Sequence, residues 1–223
     1  RGIRDGLLLS MIDERHPGGE VLTAGDRFEW VTRFARRCGV HEPHAAHVAR
    51  LSTQIFDALQ ELHELGEDER DLLEAAAYLH DTGYLIGHSK HHRHAYHLIM
   101  HADLPGFSAH EVEIIANVAR YHRRAHPRKR HSNFARLDSA DRQRVRVLSA
   151  MLRLAAGLDR THSRAVSGVR AEVGEDRIRL ELEAETEPQV EIWDAGRKTD
   201  LLEVVFGRDV TVEWAPSEAS SPV

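Results

Sequence analysis

One cysteine, Cys38, is present among 223 residues. That excludes an intramolecular disulfide framework and leads us to expect a reducing, cytoplasmic setting. No apolar run approaches the roughly 20 residues that span a bilayer, so no membrane partner is expected. Leu7, Leu8 and Leu9 are too few for a secretory signal and are soon followed by Asp13, Glu14 and Arg15. Positive charge is not in excess either: 30 basic against 36 acidic side chains leave a net charge of −6, which argues against nucleic acid as a partner. Glycine-rich phosphate loops of the Gly-x-Gly-x-x-Gly or Walker type are missing. No Ser-His-Asp or Cys-His nucleophile arrangement stands out, and Cys38 has no motif partner. The first residue is Arg1 rather than Met, so a processed chain or part of a longer one is expected.

What the sequence has in abundance is histidine. There are 17, seven of them between His80 and His101. Imidazole is the commonest metal ligand and carries protons near neutral pH. Hydrophobic residues make up 41%, the share of an ordinary globular core, which excludes a disordered, coiled-coil or collagen-like chain.

Helix signals fill residues 26–164. Asp26 is placed to cap a helix running to Cys38, with Gly39 as its stop. Pro43 opens a longer helix, with Val48, Leu51, Ile55, Phe56, Leu59 and Leu62 at helical spacing and Gly66 at its end. From Asp68 a third helix leads through the apolar run Leu72 to Leu79 into His80 and Asp81, and Gly83 and Gly87 break it. A histidine-rich helix is expected from Lys90 to His101. Ser108 with Glu111 makes a capping box for a helix through His122, a basic loop spans 123–136, and Asp138 with Asp141 opens the last long helix. After Ser163 the period changes to two. Val166 to Val173 and Ile178 to Leu182 read as a hairpin, 187–206 as helical, and Val210 to Trp214 as a strand. The expected class is α+β: a connecting segment (1–25), a helical domain (26–164), a small β-β-α-β appendage (165–214) and a flexible tail (215–223).

The sharpest local feature is His80 next to Asp81 at a helix end, an imidazole nitrogen and a carboxylate oxygen within one turn, suited to a divalent cation. His47 shares the apolar stripe of Leu51 and Ile55 and is expected to point inward; His122, four residues after Val118, has the same direction. These four candidate ligands on three helices can converge inside a bundle.

The stretch from Leu79 through His80, Asp81, Thr82 and Gly83 to Ile99 resembles the HD-domain superfamily of metal-dependent phosphohydrolases. More closely, it is similar to the C-terminal half of the exopolyphosphatase/guanosine pentaphosphate phosphatase family. Leu104 to Phe107, Ala119 to Arg124, Leu152 to Arg160, Arg4 to Leu8 and Gly207-Arg208 extend the resemblance over nearly the whole chain. It implies a mainly α-helical HD fold in which His47, His80 and Asp81 hold a metal such as Mg, Mn, Zn or Fe, with His80 and Asp81 catalytic. A fourth ligand is commonly an aspartate where this chain has Ala156, a departure that weakens the hold on a hard cation; Asp159, three residues on, is the candidate substitute. The same pattern makes His88, His92 and His94 second-rank metal or phosphate ligands.

Between Arg120 and Arg130 there are six basic residues. Arg120, Arg123 and Arg124, with Lys90 and Arg93 on the histidine-rich segment, are candidate phosphate ligands. The resemblance implies polyphosphate or a phosphorylated nucleotide as the ligand, a homodimer, and an N-terminal phosphatase module that this chain does not match. Two functions compete: a metal-dependent phosphohydrolase, in which Arg123, Arg124 or Lys90 neutralises developing charge, and a non-catalytic polyphosphate-binding and dimerisation module. A nucleotide-specific hydrolase is the third alternative.

Overall fold

The computed structural model describes residues 24–216; the connecting segment before Ala24, with Arg4 to Leu8, and the tail after Pro216 lie outside the described residues. Eight helices longer than one turn are described, together with three strands: α1 (Ala24–Arg37), α2 (Glu42–Ala58), α3 (Glu67–Leu79), α4 (His91–Met100), α5 (Ala109–Arg120), α6 (Ser139–Gly157), β1 (Gly168–Val173), β2 (Arg177–Ala184), α7 (Gln189–Gly196), α8 (Asp200–Phe206) and β3 (Asp209–Pro216). The class is α+β and mainly helical, as expected.

Local chemistry explains most of the boundaries. Pro43 occupies the first turn of α2, where its missing N–H is no loss. The Ser108 hydroxyl accepts from the Glu111 N–H, and the Glu111 carboxylate accepts from the Ser108 N–H in return. The Asp138 carboxylate caps α6 through the Asp141 N–H. Three expectations differ in detail. Asp26 sits inside the first turn of α1, where its charge faces the helix dipole, and α1 begins at Ala24. The helix opened by Pro43 stops at Ala58; a separate turn, Gln60–His63, follows and ends on Glu64 in a left-handed conformation. Residues 187–206 form two helices rather than one, with Arg197, Lys198 and Thr199 between them.

In the sheet β2 is central, antiparallel to β1 and parallel to β3. Ile178, Leu180, Leu182 and Ala184 of β2 face inward while Arg179, Glu181 and Glu183 alternate outward. β1 lies against α2, and α7 and α8 pack on α6. One core runs through both parts: Leu51, Ile55 and Phe56 of α2, Leu73 and Leu79 of α3, Ile115 of α5 and Leu148 and Met151 of α6 join Ile178 and Leu180. No described helix is long and apolar enough to cross a membrane.

Candidate metal and phosphate site

Six helix ends and the segment that follows the last of them meet at a cavity of about 170 Å³. His44 enters from the first turns of α2, and His80 and Asp81 from the end of α3. His91 comes from the start of α4, His122 from just past α5, Ala156 and Asp159 from the end of α6, and Asp194 and Lys198 from α7 and the residues after it. Buried polar groups concentrate here because helix ends carry unpaired carbonyls that can fix an imidazole.

Each of the four imidazoles is held by its Nδ1. His80 Nδ1 donates to the Ala77 carbonyl at 2.6 Å, His122 Nδ1 to Ala119 at 2.7 Å and His91 Nδ1 to His88 at 3.2 Å. His44 Nδ1 donates to Asp159 Oδ2 at 2.7 Å. A ring that donates through Nδ1 presents a lone pair at Nε2, the arrangement by which outer partners orient metal-ligating histidines. All four Nε2 atoms turn toward the same place. Those of His44 and His80 lie 3.7 and 3.5 Å from Asp81 Oδ2, and that of His91 lies 3.6 Å from Oδ1. His91 Nε2 and His122 Nε2 face each other at 3.3 Å, two lone pairs that repel unless a cation stands beside them. Two groups could therefore hold a metal ion, His44–His80–Asp81 and Asp81–His91–His122. Asp81 belongs to both.

Burial holds the His80 and His91 rings below the ordinary histidine range, and the His122 ring well below it, where neighbouring His80 adds repulsion. Burial raises the Asp159 carboxyl, but its bonds from His44 and from the Arg164 N–H outweigh that and bring it below the usual range. Burial thus favours neutral nitrogens at His80, His91 and His122, beside the ionised carboxylate of Asp159, a setting that suits a divalent cation.

The expected ligands separate. His80, Asp81, His122 and Asp159 all line the cavity. Asp159 reaches it from behind His44, as the group that orients that ring. His47 belongs to neither group: its Nδ1 meets the Arg50 guanidinium at 3.2 Å and its Nε2 is buried with no partner among the described residues. His44, one turn earlier on the same side of α2, stands where His47 was expected. Both lie on the inward face; depth along the helix separates them, which periodicity does not encode.

Of the second-rank histidines, His88 is exposed, with its ring 5.0 Å from that of Tyr84. His94 is half-buried and in neither group. His92 is buried beside His91 and His122 with its Nδ1 unpartnered among the described residues. Of the basic candidates, only Arg123 lines the cavity, with Nη1 3.4 Å from His91 Nε2. Arg120 lies over the Tyr96 ring, and Arg93, Lys90 and Arg124 are exposed, the last two at positive φ. Buried Arg153 holds this stretch in place by donating to the Arg124 carbonyl at 3.0 Å and to Asp200 at 3.3 Å.

Sequence reasoning missed His44, His91, Arg160, His162 and Lys198, all of which line the cavity. His162 stacks on His44 at 3.7 Å with the rings 2° from parallel, from a turn in which His162 and Arg164 both take left-handed conformations. Non-glycine residues held there cost about 1 kcal/mol or more each, a strain often found at functional sites. For His91 a signal existed. A Cβ on Gly83 would sit 1.9 Å from the His91 carbonyl oxygen, so the glycine after the His-Asp pair marks where the histidine-rich helix docks.

The depressed rings make stability depend on pH. Burial first, then His91, Arg123, Arg124 and Arg93, bring His92 down to about 4. The unfolded chain takes up protons at such rings near the ordinary value of about 6.5, and the folded chain does not until close to 4. The unfolded state therefore binds more protons across that window, and stability is lost as pH falls from about 6.5 toward 4. The thermal midpoint of chelator-treated protein is expected to drop over this range, and His92→Leu to flatten the slope by about one proton. A midpoint unchanged between pH 7 and pH 5 contradicts this.

The family described as Ppx/GppA phosphatase, domain III, matches residues 27–193. The chain is also similar to the guanosine-5'-triphosphate,3'-diphosphate pyrophosphatase of Pseudoalteromonas translucida (strain TAC 125), at 30% identity over 122 residues. That stretch covers 54% of this chain and 23% of the relative.

Proposed function

Because the chain belongs to the Ppx/GppA phosphatase family, we propose that the cavity is a divalent-metal site for phosphohydrolysis of polyphosphate or of phosphorylated nucleotides. The reading rests on one observation above the others: Asp81 is shared by two His/Asp groups whose imidazole Nε2 lone pairs converge on it. His44, His80 and Asp81 would hold one ion, and His91 and His122 with Asp81 a second. A divalent ion supplies Lewis acidity to water and to a phosphoryl oxygen. The chain's own residues do the rest. Asp159 orients His44 and Arg123 faces negative charge developing at the phosphoryl group, while burial keeps the His80, His91 and His122 rings unprotonated and able to bind near neutral pH. The domain has the helical HD character that the His-Asp pair suggests. A cytoplasmic homodimer working beside an N-terminal phosphatase module completes the reading, and the similar pyrophosphatase makes guanosine polyphosphates a natural first substrate class.

A second reading has its own support. Ala156 lies on the cavity wall where an aspartate would add an oxygen, and the matched relative is far longer than the shared stretch. The domain would then grip the polyanion without turning it over.

Manganese titration by calorimetry, with phosphate release measured on polyphosphate, guanosine pentaphosphate and a monophosphate, separates the two. Stoichiometric metal with turnover supports hydrolysis; metal or polyanion binding with no turnover supports the binding module. The ligand assignment has a sharper check. His44→Ala is expected to weaken manganese binding about a hundredfold, Asp159→Asn about 10–100-fold through the lost orientation of His44, and His47→Ala less than twofold. Equal losses in His44→Ala and His47→Ala would refute the assignment.

A further inference from the structure

We propose that Lys198, carried on the segment between α7 and α8, completes with Arg123 and Arg160 a three-cation clamp that binds a terminal phosphoryl group over the His/Asp cluster. The inference rests on the phosphate reading above and deepens it by naming the groups that receive the anion.

The first support is placement. Arg123, Arg160 and Lys198 all line the cavity, from three separate parts of the chain. Arg123 follows α5, Arg160 follows α6, and Lys198 follows α7. Only Arg123 belongs to the basic stretch apparent in the sequence; the other two lie outside it, and the fold brings them to it.

The second is charge balance. The wall also holds Asp81, Asp159 and Asp194, so three basic side chains face three carboxylates and the cavity has no net formal charge when its histidines are neutral. Each divalent cation on the His/Asp cluster would add two positive charges, an excess of two with one ion and four with both groups filled. A terminal phosphoryl dianion matches the first case and offsets half of the second. A bridging phosphate inside a chain, with a single charge, offsets only half as much. The clamp therefore favours the end of a linear polyphosphate or nucleoside polyphosphate over its interior.

The third is that the fold makes room for Lys198. Gly157 at the end of α6 lies flush against α7: a Cβ there would sit 2.9 Å from the Ala195 Cα and 3.2 Å from the Lys198 Cδ. A larger residue would push away the segment that carries the lysine. The Lys198 Nζ lies 2.7 Å from Asp194 Oδ2, one turn back, and the carboxylate opposes the pull of burial on the ammonium proton. Asp194 is the one carboxylate of the three outside the histidine network. It fixes where the ammonium points.

The test uses tripolyphosphate as the probe on the full chain, measured by calorimetry with and without manganese, beside a separate manganese titration. Lys198→Gln is expected to weaken tripolyphosphate binding tenfold or more, and Arg160→Gln threefold or more, with manganese affinity within twofold of the parent. Arg177→Gln, at the start of β2 and away from the cavity wall, controls for general loss of positive charge and is expected to change nothing. Arg160 is exposed, so its variant keeps the test alive if Lys198→Gln fails to fold. Binding within twofold of the parent in the folded clamp variants overturns the proposal while leaving the metal reading intact. So does an equal loss in Arg177→Gln. If the parent takes up no manganese, the metal reading fails instead. The clamp is then judged on the metal-free protein, where the same order of losses upholds it and no tripolyphosphate binding in the parent overturns it.

Discussion

Asp81→Ala is expected to cost more cation affinity than the loss of any single histidine. Both oxygens of this carboxylate are committed: Oδ2 faces the Nε2 atoms of His44 and His80, and Oδ1 faces that of His91. Removing any one histidine takes a ligand from a single group. Removing Asp81 takes the only anion from both. What remains is a set of imidazole nitrogens at mutual distances that suit a cation but with no carboxylate to hold one. Outer partners of metal ligands are typically worth 10–100-fold in affinity, so a shared ligand is expected to exceed the upper end of that range. Manganese titration should show a loss of about a hundredfold or more, and metal-dependent phosphate release should fall to background. Asp81→Asn keeps the shape and is expected to fail almost as completely, which isolates charge from packing. The metal-free fold should barely notice either change, because the Asp81 carboxylate is partly exposed and makes no short hydrogen bond among the described residues. Stoichiometric manganese in Asp81→Ala would sink the assignment of the cluster.

The second large effect is structural. Gly83→Ala would place its Cβ 1.9 Å from the His91 carbonyl oxygen, 2.6 Å from the Ala95 nitrogen and 2.8 Å from the His91 carbonyl carbon. These are backbone atoms of α4, so no rotamer change relieves the contact. Either the turn after Asp81 or the start of α4 has to move. Overpacking of this kind costs about 3 kcal/mol or more, which for a chain of this size lowers the thermal midpoint by roughly 6–12 °C. His91 rides on the displaced helix, so the Asp81–His91–His122 group should loosen with it. Chemical denaturation of the metal-free variant reads the first consequence and manganese titration the second. A midpoint within a degree of the parent would mean that the turn and α4 do not touch as described.

These two sites also show what the sequence made legible. His80 and Asp81 stood out because adjacency on a helix end is a local pattern, and caps such as Ser108 with Glu111 were equally readable. The strands were plain from their alternation, since Ile178, Leu180 and Leu182 face the core and Arg179 and Glu181 do not. Spacing points to His47 as readily as to His44, because both share one face of α2, and only the packing of its first turn against Asp159 selects between them. His91 lies off the His94–His97–His101 face of the histidine-rich helix, and it reaches the cavity because Gly83 admits that helix's first turn. Arg160 and Lys198 carried no motif at all. Their role depends on where α6 and α7 end in space, and no local spacing records that.

The parallel pairing of β3 with β2 sets an order of assembly for the nascent chain. A parallel neighbour needs a crossover, here α7 and α8, so β3 takes its place only after both have been synthesised. Every imidazole of the cluster precedes that point by at least the hairpin and two helices. A polypeptide still emerging from the ribosome therefore has its cation ligands before the strand that anchors the Lys198 segment. An ion taken up at that stage would tie α2 through α5 together while the last strand is still being made.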